Sequence, residues 1–206
     1  MDKSERKERE FNLRREEILK QAEEVFAVKG YYKATVMEIA EASGFAVGTI
    51  YQYFGSKEEL FSSLVTEKLD ILYDGVRGAV AGKENPLEKI RALVAANFLF
   101  VENNVSFCKI FIRRGSAAMA EGAADLREKM IADYLEHVDF MAAVIAEGVT
   151  AGTLRKQDPR LMAFVLAGMI NSFVLSWMQT RERGSLCELT ETLLAIFFEG
   201  VKASAA

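Results

Sequence analysis

A 206-residue chain that is 50% apolar and 27% charged can bury a real core, so a disordered tail is excluded. Its net charge of −4 does not by itself advertise a polyanion as partner, although such binding depends on where cations stand rather than on their sum. Cys108 and Cys187 are far apart without metal-ligand spacing, and the first residues are charged throughout. Reduced thiols, no metal, no cofactor and no secretory segment are expected, hence a cytoplasmic protein.

In chain order, the pattern predicts an all-α protein of about nine helices, with few β-branched alternating runs and no hairpin dipeptides flanked by strands. The expected segments are about 12–29, 35–42, 46–53, 56–81, 86–103, 105–114, 122–151, 159–182 and 186–202. The cations Lys3, Arg6, Lys7, Arg9, Arg14 and Arg15 precede the core of the first helix and alternate with glutamates. They read either as a mobile arm adding phosphate contacts or as a solvated helical extension. Gly30 is placed to end the first helix.

The stretch Thr35 to Leu60, TVMEIAEASGFAVGTIYQYFGSKEEL, carries the most information. Thr35 with Glu38 and Ser56 with Glu59 are capping boxes that mark two helix starts. Val36, Ile39 and Ala40 supply one apolar face, answered by Ile50 and Phe54, and Gly44 supplies a left-handed turn residue. Two short helices and a tight turn make a helix-turn-helix, with the second helix offered to the DNA major groove. Its outward side holds Val47, Gly48 and Tyr51, with Thr49 beside them. Gly48 costs the helix about 1 kcal/mol relative to alanine, and close approach to a phosphate or base edge would compensate. Thr49, Tyr51 and Tyr53 offer hydroxyls, Lys57 a cation, and no acidic residue occurs from Ala42 to Lys57.

These residues, I39-A40-x-x-S43-G44-x-x-x-G48-T49-I50-Y51-x-Y53-F54-x-S56-K57-E58-E59-L60, closely resemble the DNA-binding signature of TetR-type (AcrR-like) bacterial transcriptional repressors. The resemblance implies a three-helix DNA reader at 1–55, a larger helical ligand-binding and dimerisation domain at 56–206, and repression relieved by a small hydrophobic molecule. By position, Thr35, Thr49, Tyr53 and Lys57 would hold phosphates, and Val47, Gly48 and Tyr51 would lie nearest the bases. The family often has Ser then Lys where this chain has Ala46 and Val47. That exchange removes a side-chain cap and a cation and leaves apolar contacts, such as with thymine methyl groups.

Beyond Ser56 the fourth helix continues with Leu64, Ile71 and Leu72, the one evident mechanical link between reader and body. Asn85-Pro86 and Asp158-Pro159 read as cap plus first helical residue, and Ser185 with Glu188 as a further capping box. Leu161 to Met178 is uncharged over 18 residues, a length at which a membrane span must be considered. Asn171, Ser172, Ser176 and Gly168 interrupt it, and the final helix is also apolar on more than one stripe. The two together read as a homodimer face rather than a span. A symmetric pair of readers matches a palindromic operator in double-stranded DNA, its half-sites about one turn (~34 Å) apart.

Asn97, Phe98, Phe107, Phe111, Tyr134, His137, Met141 and Asn171 are the candidate lining of a mostly apolar effector pocket with a few orienting polar groups. Taken singly, each reads more readily as an ordinary core residue with a satisfied hydrogen bond, and His137 as a helix-surface histidine. The pattern E147-G-V-T-A-G-T-L154 before D158-P-R-L161 is loosely similar to fatty-acid-responsive members of the family. That similarity implies a long-chain acyl-CoA as effector, with Arg113 or Arg114 available for its phosphates. A ligand favouring a displaced fourth helix would move the two readers off one-turn spacing. One histidine, no His-Glu metal spacing and no serine elbow argue against an enzyme. The alternative is a ligand-binding or architectural DNA-binding protein without induction.

Overall fold

The computed structural model describes residues 2–114, 124–180 and 184–201. Among them the chain forms α1 (Lys3–Lys29), α2 (Val36–Ser43), α3 (Val47–Tyr53), α4 (Lys57–Val80), α5 (Pro86–Asn103), α6 (Val105–Arg114), α7 (Ala124–Thr150), α8 (Pro159–Gln179) and α9 (Thr190–Val201). A single 3-10 turn, Cys187–Leu189, precedes α9. The all-α expectation holds, and the largest boundary difference is at the start. There α1 begins nine residues before the predicted 12, because the charged extension is itself helical.

The chain divides into two compact units, one of Met1–Leu69 with Ser106–Arg127, the other of Asp70–Val105 with Glu128–Ala206. The boundary runs through α4, and the chain returns to the first unit for α6. The first unit is built around Ile18, Ala22 and Phe26 of α1, Val36, Ile39 and Ala40 of α2, Ile50 and Phe54 of and after α3, and Leu60 and Leu64 of α4. Ile110 of α6 joins this core. Nothing in the pattern S106-F-C-K-I-F-I assigned Ile110 to the reader, because an apolar stripe does not name the surface it packs against.

Of the five predicted helix-start caps, those at Thr35, Asn85 and Asp158 hold, that at Ser56 holds in part and that at Ser185 does not. Thr35 Oγ1 accepts from Glu38 N–H at 3.3 Å while Glu38 accepts from Thr35 N–H at 3.1 Å. Lys29 and the Thr35 amide together hold the Glu38 carboxyl below its ordinary range. Gly44 closes α2 at φ 71°, its N–H returning to Ala40 and Glu41 carbonyls. Ser56 Oγ accepts from Glu59 N–H at 3.0 Å, whereas the Glu59 carboxylate accepts from Gly55 N–H at 2.8 Å, one residue before the expected partner. Asn85 and Asp158 cap α5 and α8, each followed by its proline.

The expected box of Ser185 and Glu188 is replaced by a contact from far along the chain. Glu102 of α5 accepts from Ser185 Oγ at 2.8 Å, from Cys187 N–H at 3.3 Å and from Leu186 N–H. Partial burial raises the Glu102 carboxyl, but these hydrogen bonds outweigh it and leave it below the usual range. The correction has a simple cause: a charged acceptor at the head of a helical segment is a stronger cap than a local one.

In the second unit α5, α8 and α9 pack through Ile90, Leu93, Val94, Phe98, Met162, Ala163, Leu166, Ile170, Leu193, Leu194 and Phe197. α8 is long and apolar enough to cross a membrane by length and composition, and only 33% of that span is buried within this chain. Leu161, Val165, Leu175 and, on α9, Ile196 stand exposed.

Candidate nucleic-acid interface

α3 has no side-chain cap at Ala46 and no acid or base in its seven residues. One residue, Ile50, anchors it in the core; Val47 and Tyr51 are 37% and 49% exposed. Gly48 is exposed, and a Cβ built there would meet nothing within 4 Å. Among the described residues no neighbour therefore requires a glycine there. Val47, Gly48 and Tyr51 thus form an exposed surface on a helix that carries no carboxylate of its own, which is what a helix brought against a polyanion needs.

The other predicted contacts stand around this face in different states. Thr35 is exposed, its hydroxyl engaged as the α2 cap. Thr49 and Tyr53 are half-buried. The Tyr53 ring stacks on Phe11 of α1, centroids 4.4 Å apart and planes 26° from parallel. Lys57 Nζ donates to the Tyr31 carbonyl at 3.0 Å and to the Ala34 carbonyl at 3.1 Å, with the Tyr31 ring centroid 4.4 Å away. It staples the α1–α2 connection to the start of α4, so a substitution at Lys57 reads fold as well as binding. Sequence gave no hint of this, since carbonyl partners leave no trace in residue identity.

The effector candidates divide between the two units. Phe107 and Phe111 belong to the first, with ring centroids 5.7 Å apart. Asn97, Phe98, Tyr134, His137, Met141 and Asn171 belong to the second. Phe98 and Met141 are buried, and Asn97 is buried with its amide donating to the Leu93 carbonyl at 2.8 Å. Tyr134 is 36% exposed, and Asn171 is exposed on the same helix as Leu161 and Val165. Asn171 thus lies on the outward side of α8, not in the interior among α5 and α7. The side chains of Arg113 and Arg114 lie outside the described residues.

His137 is the unusual member. It is buried, its ring stacks on Tyr73 of α4 at 4.6 Å, and its Nδ1 has no hydrogen-bond partner among the described residues. Burial pushes the imidazole down from 6.5 to about 4, with Arg77 acting in the same direction. Burial likewise raises the Tyr73 hydroxyl to about 12. Both groups are therefore neutral at pH 7, as an apolar interior requires. The unfolded chain binds the histidine proton near pH 6.5, the folded chain only near pH 4. Stability from this group is complete above about pH 6.5 and declines by about 3 kcal/mol as pH falls to about 4. His137→Phe should flatten that part of an acid titration of the denaturation midpoint. An identical decline in the variant would show that His137 does not titrate this way.

Comparison with known proteins agrees with the geometry. Residues 18–64 match the family model described as bacterial regulatory proteins, tetR family, and residues 83–201 match the tetracyclin repressor-like C-terminal domain. The fatty acid metabolism regulator protein of Bacillus subtilis is 24% identical over 186 residues, covering 90% of this chain and 94% of that protein. The HTH-type transcriptional repressor KstR2 of Mycolicibacterium smegmatis is 33% identical over 145 residues, 69% of this chain and 68% of that one. Among solved structures, the transcriptional regulator FadR of Bacillus subtilis in complex with stearoyl-CoA superposes with a TM-score of 0.77 at 25% identity, over 89% of this chain and 97% of that one. With a helix-turn-helix whose second helix is exposed and acid-free, and with both family models matched in order, this chain belongs to the TetR family of bacterial regulatory proteins and is a DNA-binding transcriptional regulator.

Proposed function

We propose that the protein is a cytoplasmic homodimer that binds a palindromic operator and releases it when a hydrophobic acyl-CoA-type effector enters the helical body. The observation that carries the DNA half is the open surface at Gly48, a glycine that no contact among the described residues requires. Val47, Gly48 and Tyr51 lie against bases, while Thr35, Thr49, Tyr53 and Lys57 line the flanking phosphates. The reader is built on the first 55 residues, with Leu60, Leu64 and Ile110 completing its core, and the rest of 56–206 forms the ligand-binding and dimerisation part. The apolar side of α8, exposed at Leu161 and Val165, is covered by its symmetry mate together with α9.

For the effector, the support is twofold. A relative of 25% identity has been solved with stearoyl-CoA, and the Bacillus subtilis protein matched by sequence is named a regulator of fatty acid metabolism. The second unit also contains an apolar interior with a neutral, unpartnered His137 nitrogen, which a polar group of a ligand would satisfy. Entry of a ligand there biases the second unit, and α4 and α6 carry the chain onward into the core around Ile110 and Leu64. A coupling of ~1–3 kcal/mol would weaken DNA binding about 5- to 150-fold.

The test is operator affinity by fluorescence anisotropy with and without saturating stearoyl-CoA, against free coenzyme A and free stearate. Loss of binding with the thioester alone supports the reading. Unchanged affinity with all three removes acyl-CoA as effector, and equal affinity for operator and random duplex points to an architectural DNA binder.

A further inference from the structure

We propose that the first three turns of α1 are a second DNA-contacting element, in which Lys7 neutralises a backbone phosphate beyond those reached from α3. This rests on the reading of α3 as the DNA-facing helix. The core of the first unit begins at Ile18, yet α1 starts at Lys3, and Ser4 to Arg14 are all exposed. An exposed helix of that length, about 18 Å at 1.5 Å per residue, needs something to fix its direction.

Two ring contacts do so, and both are to the end of α3. Phe11 stacks on Tyr53, the last residue of that helix, and Arg15 one turn later lies over the Phe54 ring at 5.2 Å while pairing with Glu67. The extension is therefore a solvated helix continuous with α1 and tied to the end of α3 at Phe11 and Arg15. At about 100° per residue, Lys7 sits about 40° around the axis from Phe11 and ~6 Å further out, on the side that meets α3. Arg9 sits about 160° from Phe11, on the opposite side. Arg14 and Arg15 are held by Glu10 and Glu67, whereas among the described residues no carboxylate pairs with Lys7. Glu8 flanks the same side, so the contact is a single cation placed at one phosphate and not a broad basic patch.

The experiment uses the full chain and a duplex selected by the protein from a random-sequence pool, with affinity measured across a salt series. Lys7→Ala should weaken binding roughly five- to tenfold near physiological salt, on selected and random duplex alike. The plot of log affinity against log salt should become shallower by about 1.8, one phosphate lost per protomer of a dimer. Arg9→Ala, the same charge change on the far side, should shift affinity less than twofold. Phe11 is 47% exposed, so Phe11→Ala should leave the melting temperature nearly unchanged. In the Phe11→Ala background, Lys7→Ala should add little further loss. Wild type that binds while Lys7→Ala keeps its salt slope, or behaves as Arg9→Ala does, overturns the proposal alone. Wild type that selects no duplex overturns the reading of α3 and this proposal with it.

Discussion

Val165→Glu should turn the protein into a folded monomer whose operator affinity is on the order of a hundred- to thousandfold weaker, the factor by which linking two binding events exceeds one. Val165 is 55% exposed on α8, with Leu161 and Leu175 on the same helix and Ile196 on α9 also turned outward. Water tolerates a carboxylate there in a single chain. In a twofold contact each glutamate would be buried against its symmetry copy's apolar surface, a like-charge desolvation that the interface cannot compensate. Sedimentation velocity reads the oligomer and anisotropy reads the operator. Because the side chain is exposed within the chain, the helical circular-dichroism signal should survive. A variant that remains dimeric would place the contact on another face and remove α8 from the proposal.

Gly48→Ala should move stability and operator affinity in opposite directions. The site is the second residue of α3, in its first turn, with nothing among the described residues within 4 Å of the added Cβ. Alanine should therefore stabilise the free protein by up to about 1 kcal/mol, through helix propensity and a smaller unfolded-state entropy. Against DNA the added methyl occupies the closest approach of the helix, and the expected loss is about 1–3 kcal/mol, or about 5- to 150-fold in affinity. Tyr51→Ala, removing a ring that is 49% exposed in the free protein, should lose a similar amount of affinity with little change in melting temperature. A Gly48→Ala protein that melts higher and binds operator unchanged would sink the assignment of this surface to DNA.

The two variants separate questions that one assay confounds. A monomer with intact α3 reports on spacing between readers; a dimer with an altered α3 reports on the reading surface itself. Lys57 serves neither purpose cleanly, since its ammonium holds the Tyr31 and Ala34 carbonyls.

The amino-acid pattern by itself determined the helices, the caps at Thr35, Asn85 and Asp158, the left-handed closure at Gly44 and the outward side of α3. All of these are settled within about four residues along the chain, by i, i+3 and i+4 spacing and by backbone donors seeking nearby oxygens. Tertiary structure decided what depended on partners distant in sequence. Glu102 reaches across 83 residues to Ser185 and takes over a cap that the local spacing assigned to Glu188. Ile110 leaves the body's helices for the reader's core, and Phe11 finds Tyr53, which converts a charged tail into a directed extension. Asn171 turns outward, while His137 is buried with no partner for Nδ1 among the described residues. The physical reason is common to all of them. An amphipathic period says that a side chain will be buried or capped, but which surface buries it is set by the packing of whole helices, a choice that no local window of sequence contains.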